Sequence, residues 1–284
     1  MNGLVSPDNR FLTPYRLFQL FKYTVYLLLA WNVYLWFQED LAAAAETMRG
    51  QVGWGNFVEA YTATIDTLAW VVLLLIFELE TAVIPDEKLK GGRKWLLTGL
   101  SLVCYVFIVW SFYGYVAKFG MISAVQSFQV ADVCSLVGGE WNFLETMNEY
   151  PPLDLVNCAA MQGQQILQVI GTDILATAGN HALAWRLALV DILNAGTWLL
   201  VVVMLEIEVL LQMRHKLTGA MMKGGAWFKG FLYLVLFVCA AYWGYDGTFL
   251  DFWDAFLWLV AFIFIELNIF QWHEETREPA PQGY

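Results

Sequence analysis

The residues best placed to do chemistry are carboxylates that recur at one spacing. An Asp or Asn is followed four residues on by Trp, and eight residues later by Glu: Asp66, Trp70 and Glu78; Asn194, Trp198 and Glu206; Asp254, Trp258 and Glu266. Each Glu is followed by Leu or Ile and then by a second polar residue, Glu80, Glu208 or Asn268. The surroundings are strongly apolar. An ionised carboxylate at the centre of a bilayer costs roughly 2.5–3.5 kcal/mol on insertion scales, so such groups persist when they are paired, protonated, wetted or functional. Rings of carboxylates without matching cations are the expected lining of a path for protons or small cations.

The spacing sets their geometry. Twelve residues separate Asp66 from Glu78, about 18 Å along a helix. Asp66, Asn194 and Asp254 therefore read as an outer ring, and Glu78, Glu206 and Glu266 as an inner one. Residues two apart on a helix point about 200° apart, so Glu78 and Glu80 cannot share one direction. The expectation is that the identical set, Glu78, Glu206 and Glu266, faces a central axis. Glu80, Glu208 and Asn268 would then hold neighbouring helices through Tyr hydroxyls or through Lys22. The competing reading makes the inner acids anchors that meet Lys88, Lys90, Arg93, Lys94, Arg214 or Lys216 at the headgroup layer.

These residues need membrane helices to position them. Of 284 residues, 59% are hydrophobic and 14% charged, against about 25% charged in soluble domains. The net charge of −11 excludes the basic footprint of a nucleic-acid binder. Six stretches approach the roughly 20 apolar residues that a span needs, near 17–37, 61–84, 95–116, 183–212, 227–245 and 249–272. The fold class expected is an all-α polytopic membrane protein with six transmembrane helices in a single membrane domain, 1–284.

The odd-numbered spans also repeat. Tyr26, Trp31 and Tyr34 match Tyr105, Trp110 and Tyr113, and then Phe237, Tyr242 and Tyr245. Together with the carboxylate pattern this predicts three tandem helical hairpins, over about 17–84, 95–212 and 227–272, around a pseudo-threefold axis along the membrane normal. Twelve of the 15 Lys and Arg residues fall on one side, which by the positive-inside rule puts both termini in the cytoplasm. The outer face is then acidic, and the expected location is a bacterial inner membrane.

One outer segment, 118–182, is long. It holds Cys134 and Cys158, an expected disulfide outside the reducing cytosol. Ile166, Leu167, Ile170, Ile174 and Leu175 read as a short amphipathic helix. No cofactor is implied: the three His residues form no i, i+4 pair, and no phosphate loop or nucleophile elbow is present. A metal is left open only as a divalent cation held by oxygens. The leading function is a proton or small-cation channel or transporter, not an enzyme. The alternatives are a non-catalytic scaffold or regulatory subunit of a larger membrane complex, and a lipid- or quinone-modifying membrane enzyme. Expected partners are the lipid bilayer and either a second copy or other membrane subunits.

Overall fold

The computed structural model describes residues 14–48, 51–85, 88–213 and 219–276, with side chains for all of these except 14–15, 82, 209, 212–213, 219–220 and 265–276. Long helices dominate. In chain order the helices are α1 (Pro14–Thr47), the single turn α2 (Phe57–Ala60), α3 (Thr62–Glu78), α4 (Gly92–Ser123), α5 (Leu155–Met161), α6 (Ala178–Met213), α7 (Gly219–Asp246) and α8 (Phe249–Thr276). A π-helical turn, Leu79–Val83, extends α3.

Four stretches are long and apolar enough to cross a membrane: Thr62–Thr81, Gly92–Ser123, Ala178–Glu208 and Met221–Asp246. Most of their apolar surface stays outside the fold, with α4 only 17% buried over its most apolar stretch. That suits a lipid solvent, which needs no burial of hydrocarbon. The chain is thus a largely helical polytopic membrane protein. Among the described residues four helices, not the six expected, qualify by this measure. Polar residues set α1 apart: Lys22, Asn32 and Asp40 are all turned inward. The three expected hairpins are also unlike one another. Their outer connections range from the short Gly247–Thr248 link to a folded domain over 124–177.

Each long helix packs on the next in chain order, α1 on α3, α3 on α4, α4 on α6, α6 on α7 and α7 on α8, and α8 returns to α1. The ring is closed at its core by Leu29, Leu74, Trp198, Val201, Leu236, Trp258 and Ala261. Two glycines permit close approach. A Cβ on Gly114 of α4 would lie 2.3 Å from Thr62 Oγ1 at the start of α3, and one on Gly247 would meet the Trp243 backbone at 2.9 Å.

The outer segment corrects the expectation at its middle. α4 continues to Ser123 and α6 starts at Ala178, so the extramembrane part is 124–177. Residues 166–175 form no amphipathic helix. They form a hairpin of β3 (Ile166–Val169) and β4 (Ile174–Thr177), paired Ile166 with Thr177 and Gln168 with Leu175. Gly171, at φ +83°, takes the left-handed turn conformation that a helix interior cannot hold. With β1 (Val125–Ser127) and β2 (Asn142–Phe143) the sheet order is β1-β3-β4-β2. Successive residues of β4 face opposite ways, as the period of two requires. Leu175 packs in the domain's own core with Val133, Cys158, Met161 and Ile166. Ile174 and Ala176 pack on the bundle with Ile122, Leu187 and Trp243. Cys134 and Cys158 form the expected disulfide, tying the 3-10 turn Val133–Leu136 to α5. The sheet is therefore a cap seated on one end of the ring, the end expected to face outward.

Candidate functional site

A cavity of about 70 Å³ lies beneath the cap, inside the ring, with room for a few water molecules. α3, α6 and α8 line it with residues at matching intervals. Ala63, Asp66 and Trp70 come from α3; Asp191, Asn194 and Trp198 from α6; Asp251, Asp254 and Trp258 from α8. Within each helix the first two are three apart and the third follows four later, so all share one face. The structure thus brings Asp66, Asn194 and Asp254 together around one space.

Each acid has a different support. Asp66 accepts from Trp70 Nε1 at 3.1 Å and from the Tyr115 hydroxyl at 3.2 Å. Asp254 accepts from Asn32 Nδ2 at 2.7 Å. Asp251 accepts from the Thr248 amide and hydroxyl, both at 2.9 Å, and the Asp251 amide donates back to Thr248 Oγ1. That reciprocal pair is a capping box that starts α8, so Asp251 has a structural task besides lining the cavity. Asp191 makes no hydrogen bond or ion pair among the described residues. The indole N–H of Trp243, also on the lining, lacks a partner too although the residue is 6% exposed. A buried donor left unsatisfied costs about 1–3 kcal/mol, so a wetted cavity is the physical expectation here.

Lys118 reaches the cavity from α4 and donates to Asn148 of the cap, which in turn donates to Glu39 of α1. Glu39 and Asp40 stand side by side. Asp40 accepts from the Thr64 amide at 2.8 Å and the Thr64 hydroxyl at 2.7 Å. In the cap, Asn142 donates to Glu46 of α1. Tyr150 donates to the Met147 carbonyl at 2.5 Å and holds the turn that carries Asn148. Burial raises the Tyr150 pKa above its ordinary value, while Lys118 opposes the shift.

The inner boundary of the cavity is aromatic. Trp70 lies 6.5 Å from Trp198 and 6.4 Å from Trp258, and Trp198 lies 4.2 Å from Phe262, ring centre to ring centre. Trp70, Trp258 and Phe262 also line a second, inner cavity of about 800 Å³ among α3, α4, α6 and α8.

The inner acids divide differently from expectation. Glu78 does not face a central axis. It is 4% exposed, 2.6 Å from Lys22 Nζ, and accepts from Tyr23 at 3.2 Å and Tyr26 at 3.3 Å. It therefore takes the role expected of Glu80, holding α1 through Lys22 and Tyr hydroxyls. Glu80, about 200° round the helix, lines the inner cavity instead. Glu206 also lines that cavity and accepts from Tyr105 at 3.3 Å. Glu208 pairs with Lys229 of α7 at 2.8 Å. Glu266 and Asn268 lie on α8 where side chains are outside the described residues.

No protein-family model, curated protein or solved structure matches the chain. The site therefore has to be read from its own geometry.

Among the described residues no three His, Cys, Asp or Glu side chains form a metal-holding group. Sequence reasoning passed over Asp191 and Asp251 as site residues. Their signal was present: each stands one helical turn before a member of the outer triplet. Lys118, Asn148 and Trp243 carry no such local signal, because their places in the cavity depend on how the ring closes and where the cap sits.

Proposed function

We propose that the chain passes protons or small cations across the membrane by way of the acid-lined outer cavity. One observation carries the reading: Asp66, Asn194 and Asp254, set by one sequence pattern on three helices, line a single cavity. Helices packed only for structure have no need to point such residues at a common cavity, and placing carboxylates there without a cation paired to them is costly.

The same reading makes α1 and α8 membrane helices as well, giving six spans arranged as three repeats. The matched positions on α3, α6 and α8 and the ring packing in chain order support it. α1 is less apolar because Lys22, Asn32 and Asp40 turn inward to partners on α3 and α8. The cap, with its acidic surroundings, would lie on the outer side, and the Lys- and Arg-rich connections in the cytoplasm. Asp66 and Asp254 would hold the cation or relay the proton. Asn194 and Asp191 complete the lining, and the Trp70, Trp198 and Trp258 contact forms the constriction. Glu206 would receive the charge on the inner side.

The test is flux in liposomes containing the purified full chain. Wild type should conduct protons or a small monovalent cation, and Asp66→Asn/Asp254→Asn should lose about tenfold or more of that flux while remaining monodisperse. Absence of flux from folded wild type, across protons and monovalent cations under imposed voltage, would sink the proposal. So would unchanged flux in the double variant.

A further inference from the structure

The inner cavity carries chemistry that the outer one does not explain. Its walls are mainly apolar, and its polar end holds Lys94, Glu80 and Glu206. Lys94 and Glu80 form no ion pair among the described residues, and Glu206 is held only by the Tyr105 hydroxyl. The exposed residues Lys94, Leu102 and Glu206 belong to the lining. The space therefore opens at the surface of α4 and α6, two helices apolar enough to cross a membrane. At about 800 Å³ it is within the range of small-molecule sites, about 300–1,000 Å³. Glu80 and Thr81 reach it from the π-helical turn, Leu79–Val83, that ends α3.

We infer that this cavity binds one zwitterionic phospholipid with a primary ammonium headgroup, taken from the leaflet on the Lys- and Arg-rich side. Charge complementarity selects it. A phosphate meets Lys94, and an ammonium on the same headgroup meets Glu80 and Glu206. An acyl chain continues along the apolar wall towards Trp70 and Phe262. An anionic headgroup brings a net negative charge to a site with two carboxylates and one cation, so it is disfavoured. A quaternary ammonium has no N–H to donate to either carboxylate, whereas a primary ammonium has three donors. An uncharged amphiphile offers neither a phosphate to Lys94 nor an ammonium to Glu80 and Glu206.

Native mass spectrometry of the full chain tests this. The chain is mixed with equal amounts of phosphatidylethanolamine, phosphatidylcholine and phosphatidylglycerol carrying the same acyl chains. Phosphatidylethanolamine should be retained about tenfold over either competitor, a difference easily read in binding terms. Glu80→Gln/Glu206→Gln should abolish that preference, and Lys94→Gln should lower retention of phosphatidylethanolamine. If the double variant does not fold, Glu80→Gln alone, nearly isosteric at a half-buried position, must still weaken the preference. Equal retention of the three lipids, dominance of phosphatidylglycerol, or a preference that survives loss of the carboxylates would each overturn the inference.

Discussion

Lys22 and Glu78 show how one residue's partner decides its role. Lys22 is 1% exposed and lies 2.6 Å from Glu78. Removing one member of such a pair leaves the other charge buried and uncompensated, which costs about 3–5 kcal/mol. Glu78→Gln should therefore lower the thermal midpoint in detergent sharply. Lys22→Met/Glu78→Gln, which removes both charges yet keeps an acceptor for Tyr26, should recover most of the loss. If Glu78→Gln instead kept its midpoint and lost ion flux, Glu78 would return to the conducting path. The sequence displayed the carboxylates and their 200° divergence, but the expectation that Glu78 faces the axis and Glu80 holds a neighbouring helix assigned the two the wrong way round. The choice depends on where α1 lies, and Lys22 is fifty-six residues away from its partner in the chain. The outer triplet was legible for the opposite reason: a fixed offset on each helix aims Asp66, Asn194 and Asp254 by local geometry alone.

At the scale of elements, the cap was where helical periodicity misled. Ile166, Ile170 and Ile174 fall at intervals of four, but β-branched residues on both sides of Gly171 fit a pleated hairpin better than a helix. Alternation along β4 then serves two cores at once, so all four of its residues are buried and no polar face marks it as a strand. The disulfide within this cap spans a sequence separation of 24. Chain-entropy reasoning assigns a loop of that length about 3 kcal/mol. Because the cross-link lies within the cap's own core, Cys134→Ser/Cys158→Ser should loosen 124–177 while leaving the helices intact. Hydrogen exchange should rise across β1–β4 and remain unchanged in α6 and α7. In the helical ring, Gly114→Ala would drive a methyl group into Thr62, and overpacking of this kind costs about 1–3 kcal/mol. The expected result is a lower thermal midpoint, restored in part by Thr62→Ala, which removes the Oγ1 atom 2.3 Å and the Cγ2 atom 3.0 Å from the added carbon.

At the scale of the molecule, apolarity marked all six long helices as candidate spans, and packing shows what α1 and α8 add: they complete the ring between α3 and α7. The polar residues of α1, Lys22, Asn32 and Asp40, turn inward, and their partners lie on α3 and α8. The ring in turn couples the two cavities, which share Trp70, Trp258 and Phe262. A cation passing the tryptophans enters the space where the lipid headgroup is proposed to sit, beside Glu206. If both proposals hold, an ammonium seated there occupies the exit and repels the arriving charge. Replacing phosphatidylcholine with phosphatidylethanolamine in the vesicles should then reduce wild-type flux severalfold. Glu80→Gln/Glu206→Gln, lacking the ammonium's partners, should lose this lipid dependence; its flux in pure phosphatidylcholine is the baseline for the comparison. A fall of equal proportion in the variant would trace the effect to the bilayer as a whole and not to an occupied cavity. Headgroup selectivity in mass spectrometry with no effect on a measurable flux would separate the lipid site from the conducting route, placing the route on the far side of Trp70.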